Sequence, residues 1–223
     1  TKLFFGETVG NPGLDVLDTP TVSAIAHEAG VPLLVDSTLT SPYLVKPFDQ
    51  GADLVYHSAT KFLSGHGTVV GGIVVDGGSF DWDKSGKFAE LSQAYDGFHN
   101  MVFSEESTVG AFLLRARREG LRDFGACMSP HTAWLILQGI ETLPLRMDRH
   151  MSNTTKVVEF LASQPFVSRV WHPMLESHSS HALAQKLLPK GAGSVFSFDI
   201  KGNREQGKKF IETLKVFSHL ANV

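Results

Sequence analysis

Cysteine is almost absent from this chain. One residue in 223, Cys127, excludes a disulfide framework within the chain and points to a reducing compartment, the cytoplasm. No apolar run is long enough to span a bilayer and no signal-peptide pattern is present. Neither charge sign is in large excess: 20 basic against 23 acidic residues give a formal net charge of −3. No basic block exceeds Arg115-Ala-Arg117-Arg118, which reads as the solvated end of a helix. That balance argues against a nucleic-acid binder. Internal repeats, low-complexity tracts and histidine or cysteine clusters at metal-ligand spacing are missing too. What remains is an ordinary globular composition, 42% hydrophobic and 19% charged, enough for one large domain or one domain plus part of another. Thr1 to Phe5 start without methionine and run straight into apolar sequence, and Phe217 to Val223 stop in apolar sequence. The expectation is a part of a longer chain.

The pattern along the chain predicts an α/β protein. Lys2–Phe5, Val31–Val35, Ala52–Tyr56 and Gly72–Asp76 read as strands, and continuous apolar strands separated by helices indicate a covered, mostly parallel sheet. Thr19 is the expected cap of a helix opening at Pro20, with Val22, Ile25, Ala26 and Ala29 at helical spacing and a stop at Gly30. Residues 80–106 form a long aromatic segment with no clear period, read as functional or interfacial. Helices are expected over 108–118, 129–141, from Pro144 onward, and over 204–214. In the helix from Pro144, Leu145, Met151, Val157, Val158 and Leu161 mark the buried side, and Arg146, Asp148, Arg149 and Lys156 the wet side. Val167–Trp171 and Val195–Ile200 read as further strands. A domain boundary is expected near Leu143–Pro144, dividing the chain into 1–143 and 144–223.

Chemistry concentrates at two strand ends. Asp36 follows one apolar strand, and "HSATKFLSGHGT" (His57 to Thr68) follows the next. In open parallel sheets, ligands bind at the carboxyl edge of the strands. A lysine amine is nucleophilic only when neutral, and small neighbours leave room for a planar group on it. Ser58 and Thr60 supply hydroxyl donors, and the turn supplies backbone N–H groups, able together to bind a phosphate. Asp36 would then face a ring nitrogen. A lysine, a phosphate cup and an acid against the ring are the parts of a pyridoxal phosphate site. Each residue also has a plainer reading, Asp36 as a turn or helix cap and Lys61 as a solvated strand-end lysine. The glycines from Gly65 to Gly72 have the wrong spacing for a dinucleotide loop and precede a strand. Cys127 reads as a small buried residue rather than a nucleophile, and Tyr95 and His99 as packing residues.

The stretch "VPLLVDSTLTSPYLVKPFDQGADLVYHSATKFLSGHGTVVGGIVVDGG" closely resembles the Cys/Met-metabolism pyridoxal phosphate enzymes, a family of cystathionine synthases and lyases, methionine γ-lyase and homoserine-ester sulfhydrylases. The stretches "VDGGSFDW", "ACMSPHTAWLILQGIETLPLRMDRH", "LPKGAGSVFSFDIKG" and "FSHLANV" look most like the O-acetylhomoserine sulfhydrylases. The resemblance implies an aspartate-aminotransferase-like (type I) fold, with the start of a smaller α/β C-terminal domain. It also implies pyridoxal 5'-phosphate as cofactor. By motif, Lys61 is the cofactor-bearing lysine, Asp36 the pyridine-nitrogen partner, and Ser58 and Thr60 the phosphate ligands. Asn11, in "ETVGNP", matches the asparagine near the cofactor's phenolic oxygen and the substrate carboxylate, although the family often has proline where Val9-Gly10 stands. Asn222 occupies a position from which a polar side chain approaches the substrate carboxylate.

The implied reaction is γ-replacement on O-acetyl-L-homoserine by sulfide or a thiol, giving homocysteine or methionine. The alternatives are methionine γ-lyase or cystathionine γ-synthase activity and, from another class, a non-catalytic cofactor-binding or scaffold domain. The expected partners are small molecules, with no nucleic acid and no membrane. The family also implies a homodimer or homotetramer with active sites shared between subunits. Its members have further tyrosines and arginines in segments before and after this stretch, so the 223 residues are expected to hold only part of an active site.

Overall fold

A computed structural model describes residues 1–107 and 110–220 of the chain. Four strands make the main sheet in the order β1 (Phe4–Glu7), β2 (Leu33–Asp36), β3 (Leu54–Ser58) and β4 (Gly72–Asp76). The first three are parallel and in chain order, while β4 turns back antiparallel to β3. The register sets Glu7 beside Asp36 and Asp36 beside Tyr56, so the carboxyl ends of three strands share one edge. Val31, Leu33, Val35 and Val55 are buried with Ala26 and Ala52, which is why these strands read as unbroken apolar runs.

Helix α1 (Thr19–Glu28) links β1 to β2. Its cap is Asp18 rather than Thr19: the Asp18 carboxylate accepts from the Thr21 N–H and Pro20 falls in the first turn. Its buried face is Thr19, Ser23 and Ala26, whereas Ile25 faces solvent. The small Ser23 is needed because its hydroxyl donates to the Gly51 carbonyl at 2.6 Å, closer than a branched apolar side chain permits. The aromatic segment is a core and not an open surface. Phe80, Trp82, Leu91 and Phe103 bury themselves with Ala111 against Leu54 of β3, and Trp82 stacks on Phe112. Tyr95 belongs to the same packing: its hydroxyl donates to Glu119 and its ring lies under the Arg115 guanidinium. Arg115 is therefore tied down, pairing with Glu119, and is not a free solvated helix end. Cys127, expected to be buried, is exposed in the extended turn that precedes the Pro130–Glu141 helix.

Helix Leu143–Ala162 reaches from the first core to a second. Its buried stripe is Leu143, Met147, Thr154, Val158 and Leu161. Leu145 is 73% exposed, because two residues on from Leu143 is the opposite side of a 3.6-residue turn. Met147 packs with Ala59, Phe62, Leu63 and Ile136, and Val158 and Leu161 pack with Val167 and Val170. The latter pair lies on β5 (Val167–Trp171), antiparallel to β6 (Ser197–Ile200), which begins two residues later than the sequence pattern places it. Helices His181–Leu187 and Arg204–Thr213 also lie in this part.

Candidate active site

Asp36 is the last residue of β2 and Ser58 the last of β3, two neighbouring parallel strands. Lys61 follows in a tight turn over Ala59–Leu63, where its backbone departs from helical values (φ −89°, ψ −119°). The turn is closed by Ser64 N–H to the Ala59 carbonyl and Gly65 N–H to the Lys61 carbonyl. Gly65 and Gly67, four and six residues past the lysine, both have left-handed φ, 68° and 65°, a conformation that glycine adopts without a Cβ penalty. A cleft of about 250 Å³ opens at this edge, and Asn11, Asp36, Ser58 and Lys61 all line it. The parallel order of β1, β2 and β3 thus brings four of the six sequence candidates to one crevice. A larger cleft of about 420 Å³ lies between Met151, Pro173 and Gly191, but it does not gather such a set of converging reactive groups.

Thr60 is turned away. Its hydroxyl accepts from the Gly71 N–H at 3.0 Å and sits 3.2 Å from the Gly71 carbonyl, tying the lysine turn to the start of β4. It is not among the residues that line the cleft. Asn222 falls outside the described residues.

Thr38 is a residue that the sequence reading missed. Asp36 Oδ1 accepts from the Thr38 N–H at 2.8 Å and from its hydroxyl at 2.5 Å. The same hydroxyl accepts from the Ser58 N–H at 2.8 Å. One side chain therefore aims the carboxylate and ties the ends of β2 and β3 together. Asp-x-Thr at a strand end is an Asx-turn signature, so the signal was present in the sequence. With Oδ1 held, Oδ2 is the oxygen left to meet a ligand. Glu7 and Tyr56 also line the cleft, placed there by register. His57, just before the site, is buried with Nδ1 3.1 Å from the Ser37 carbonyl. Burial pushes its imidazole below the ordinary histidine value, against the smaller upward pull of that hydrogen bond. Nδ1 donates to that carbonyl and so supports the loop after Asp36.

A model of the family of Cys/Met metabolism PLP-dependent enzymes matches residues 1–223. The chain belongs to this family. An O-acetyl-L-homoserine sulfhydrylase of Leptospira meyeri is 49% identical, matching 100% of this chain and 52% of its own length. A homocysteine synthase of Schizosaccharomyces pombe is 47% identical, again over 100% of this chain and 52% of its own. The chain thus spans about half the length of the curated relatives it matches. Among solved structures, a Campylobacter jejuni chain carrying N'-pyridoxyl-lysine-5'-monophosphate superposes with a TM-score of 0.96 at 31% identity, over 100% of this chain and 55% of that one. O-acetylhomoserine sulfhydrylase of Wolinella succinogenes gives 0.86 at 35% identity, over 100% and 59%. The α/β class with a mostly parallel sheet is therefore that of solved members of the family.

The cleft's chemistry fits the family's cofactor. Pyridoxal phosphate presents an aldehyde for an amine, a ring nitrogen for a carboxylate and a phosphate for hydroxyl and N–H donors. Lys61, the open oxygen of Asp36, and Ser58 are of those kinds, and they line one cleft.

Proposed function

We propose that this chain carries the cofactor-binding half of a pyridoxal 5'-phosphate-dependent enzyme that performs γ-replacement on O-acetyl-L-homoserine. Sulfide or a thiol displaces acetate, giving homocysteine or methionine. The observation that carries the reading is the convergence of Lys61, Asp36 and Ser58 on one cleft at adjacent strand ends, in a chain whose relatives bear sulfhydrylase and homocysteine synthase names.

Lys61 is the residue that bonds the cofactor and, once released by the substrate amine, takes and returns protons with Nζ at the substrate's α and β carbons. Its small neighbour Ser58 lines the same cleft and leaves space for a planar ring against the amine. Asp36, anchored through Oδ1, holds a proton on the ring nitrogen with Oδ2. Ser58 donates to the phosphate, and Thr60 is assigned the same part by motif. Asn11 contacts the substrate carboxylate region; Asn222 is assigned the same part by motif. The bound cofactor supplies the electron sink that stabilises negative charge on the substrate, and a protonated ring does this far better than a neutral one. The enzyme acts in the cytoplasm as a homodimer or homotetramer with shared active sites, a state that sedimentation of the full-length protein measures.

The decisive experiment is Lys61→Ala in the full-length protein. The visible absorbance of lysine-bound cofactor and turnover should both vanish; retention of either overturns the assignment. A cystathionine γ-synthase of Xanthomonas oryzae pv. oryzae also superposes, with a TM-score of 0.77 at 32% identity over 98% of this chain and 48% of that one. Substrate choice therefore needs its own test. Rates with O-acetylhomoserine plus sulfide should exceed those with O-succinylhomoserine plus cysteine and with methionine alone.

A further inference from the structure

The turn that bears Lys61 is gripped from outside the cleft by a cation. Arg146, near the start of helix Leu143–Ala162, donates from Nη2 to the Phe62 carbonyl at 2.9 Å and to the Gly139 carbonyl at 2.7 Å, and from Nε to Thr142 Oγ1 at 3.1 Å. Phe62 is the residue directly after Lys61. Gly139 lies in the last turn of helix Pro130–Glu141, where carbonyls have no partner in their own helix and a cation complements the helix dipole. The approach is close on both sides: a side chain at Gly65 would collide with the guanidinium, and one at Gly139 would strike the carbonyls of Leu63 and Ser64. Burial lowers the guanidinium's affinity for its proton, and among the described residues Arg146 makes no ion pair. Its charge is directed at backbone carbonyls. From the same helix, His150 meets the Phe62 ring edge-on at 5.4 Å and Met147 packs beneath the turn.

We propose that Arg146 is a positioning residue for Lys61. The Lys61 carbonyl is held by the Gly65 N–H and the Phe62 carbonyl by Arg146, so both carbonyls on the C-terminal side of the lysine are fixed. That sets the backbone position from which the amine reaches the cleft. Nη2 serves the turn and the helix end at once while Nε is held separately by Thr142, a spread of donors in one plane that a single ammonium lacks. The inference rests on the reading of Lys61 as the cofactor-bearing lysine.

The test uses the full-length holoenzyme with four variants: Arg146→Met, Arg146→Lys, Val158→Ala and Lys61→Ala. Displacing a reacting group by about 1 Å costs on the order of 100-fold in rate. Arg146→Met should therefore lower kcat about 10- to 100-fold, with KM changed by less than about threefold. It should also shift the visible band of the lysine-bound cofactor. In the cofactor-free protein it should speed amide exchange in residues 59–66, a readout independent of turnover. Arg146→Lys should fall between Met and wild type on all three, and it carries the test if the Met variant does not fold. Val158→Ala, on the same helix but in the second core, should lower stability and leave kcat, band and loop exchange unchanged. Wild-type kcat, spectrum and exchange in the Arg146 variants overturn the positioning role. A cofactor band that persists in Lys61→Ala overturns the functional reading instead, so the two failures are distinguishable.

Discussion

Thr38→Val isolates the bridge between the two strand ends. Valine keeps the volume and branching of threonine and removes only the hydroxyl, which donates to Asp36 Oδ1 at 2.5 Å and accepts from the Ser58 N–H at 2.8 Å. A hydrogen bond to a charged group contributes about 1.5–3 kcal/mol, and leaving a backbone N–H unpaired costs about 1–3 kcal/mol. Both groups are only partly buried, and Asp36 keeps the Thr38 N–H, so water recovers part of the loss. The expected net cost is therefore near the sum of the lower ends, about 2–3 kcal/mol. Urea denaturation followed by circular dichroism measures it, with Thr38→Ser as the control. Serine retains the hydroxyl and loses one methyl, about 0.8 kcal/mol. If the functional reading holds, a loosened Asp36 carboxylate should weaken cofactor binding by about tenfold, equivalent to about 1.4 kcal/mol. A valine variant within about 0.5 kcal/mol of wild type, or a serine variant equally damaged, refutes the bridging argument.

Gly139→Ala sets two effects against each other: helix propensity predicts a gain of about 1 kcal/mol, and overpacking a loss of about 1–3 kcal/mol. Because the new methyl meets backbone carbonyls of Leu63 and Ser64, which cannot swing aside, the loss should win, and a more stable variant in urea denaturation counts against the close contact. His172 is fully buried, with Nε2 near the Gly193 carbonyl and Nδ1 accepting from the Met174 N–H, and burial pushes its imidazole below the ordinary value. Its folded value lies below its unfolded one, so the unfolded chain binds more protons between the two. Stability is complete above about pH 6.5–7 and falls as the pH drops through the unfolded value toward the folded one. His172→Gln should flatten that fall between pH 7.5 and 5.5, leaving the part due to His57 and His150, whose values burial also lowers; an unchanged slope refutes the assignment.

Legibility differed by the kind of signal. Apolar runs located all four strands of the main sheet to within about two residues; for β2 and β3 the reason is burial, since covered strands leave little choice of residue. Gly72–Asp76 and Val167–Trp171 were legible to the residue. The placement of Asp36, Ser58 and Lys61 at strand ends was legible because the apolar runs stop there. The aromatic segment misled because its rings pack on one another and on Leu54 without any helical or strand period. Leu145 and Arg146 misled for a related reason. Hydropathy assigned one to the core and the other to water, whereas the helix's orientation exposes Leu145 and turns Arg146 onto the Phe62 carbonyl.

The sequence by itself determined the α/β class and the strand ends at which Asp36 and the glycine-rich lysine stretch stand. These follow from local causes, namely hydropathy, backbone freedom and residue chemistry. The tertiary structure decided that β2 and β3 are parallel neighbours, so that Asp36 and Lys61 line one cleft. It decided that Thr38 joins their strand ends, that the Thr60 hydroxyl is held by Gly71, and that Arg146 grips the turn from a helix far along the chain. Each of these depends on which distant backbone group lies within about 3 Å of a side chain. Such proximity is set by packing between elements, and no local pattern in the sequence encodes it.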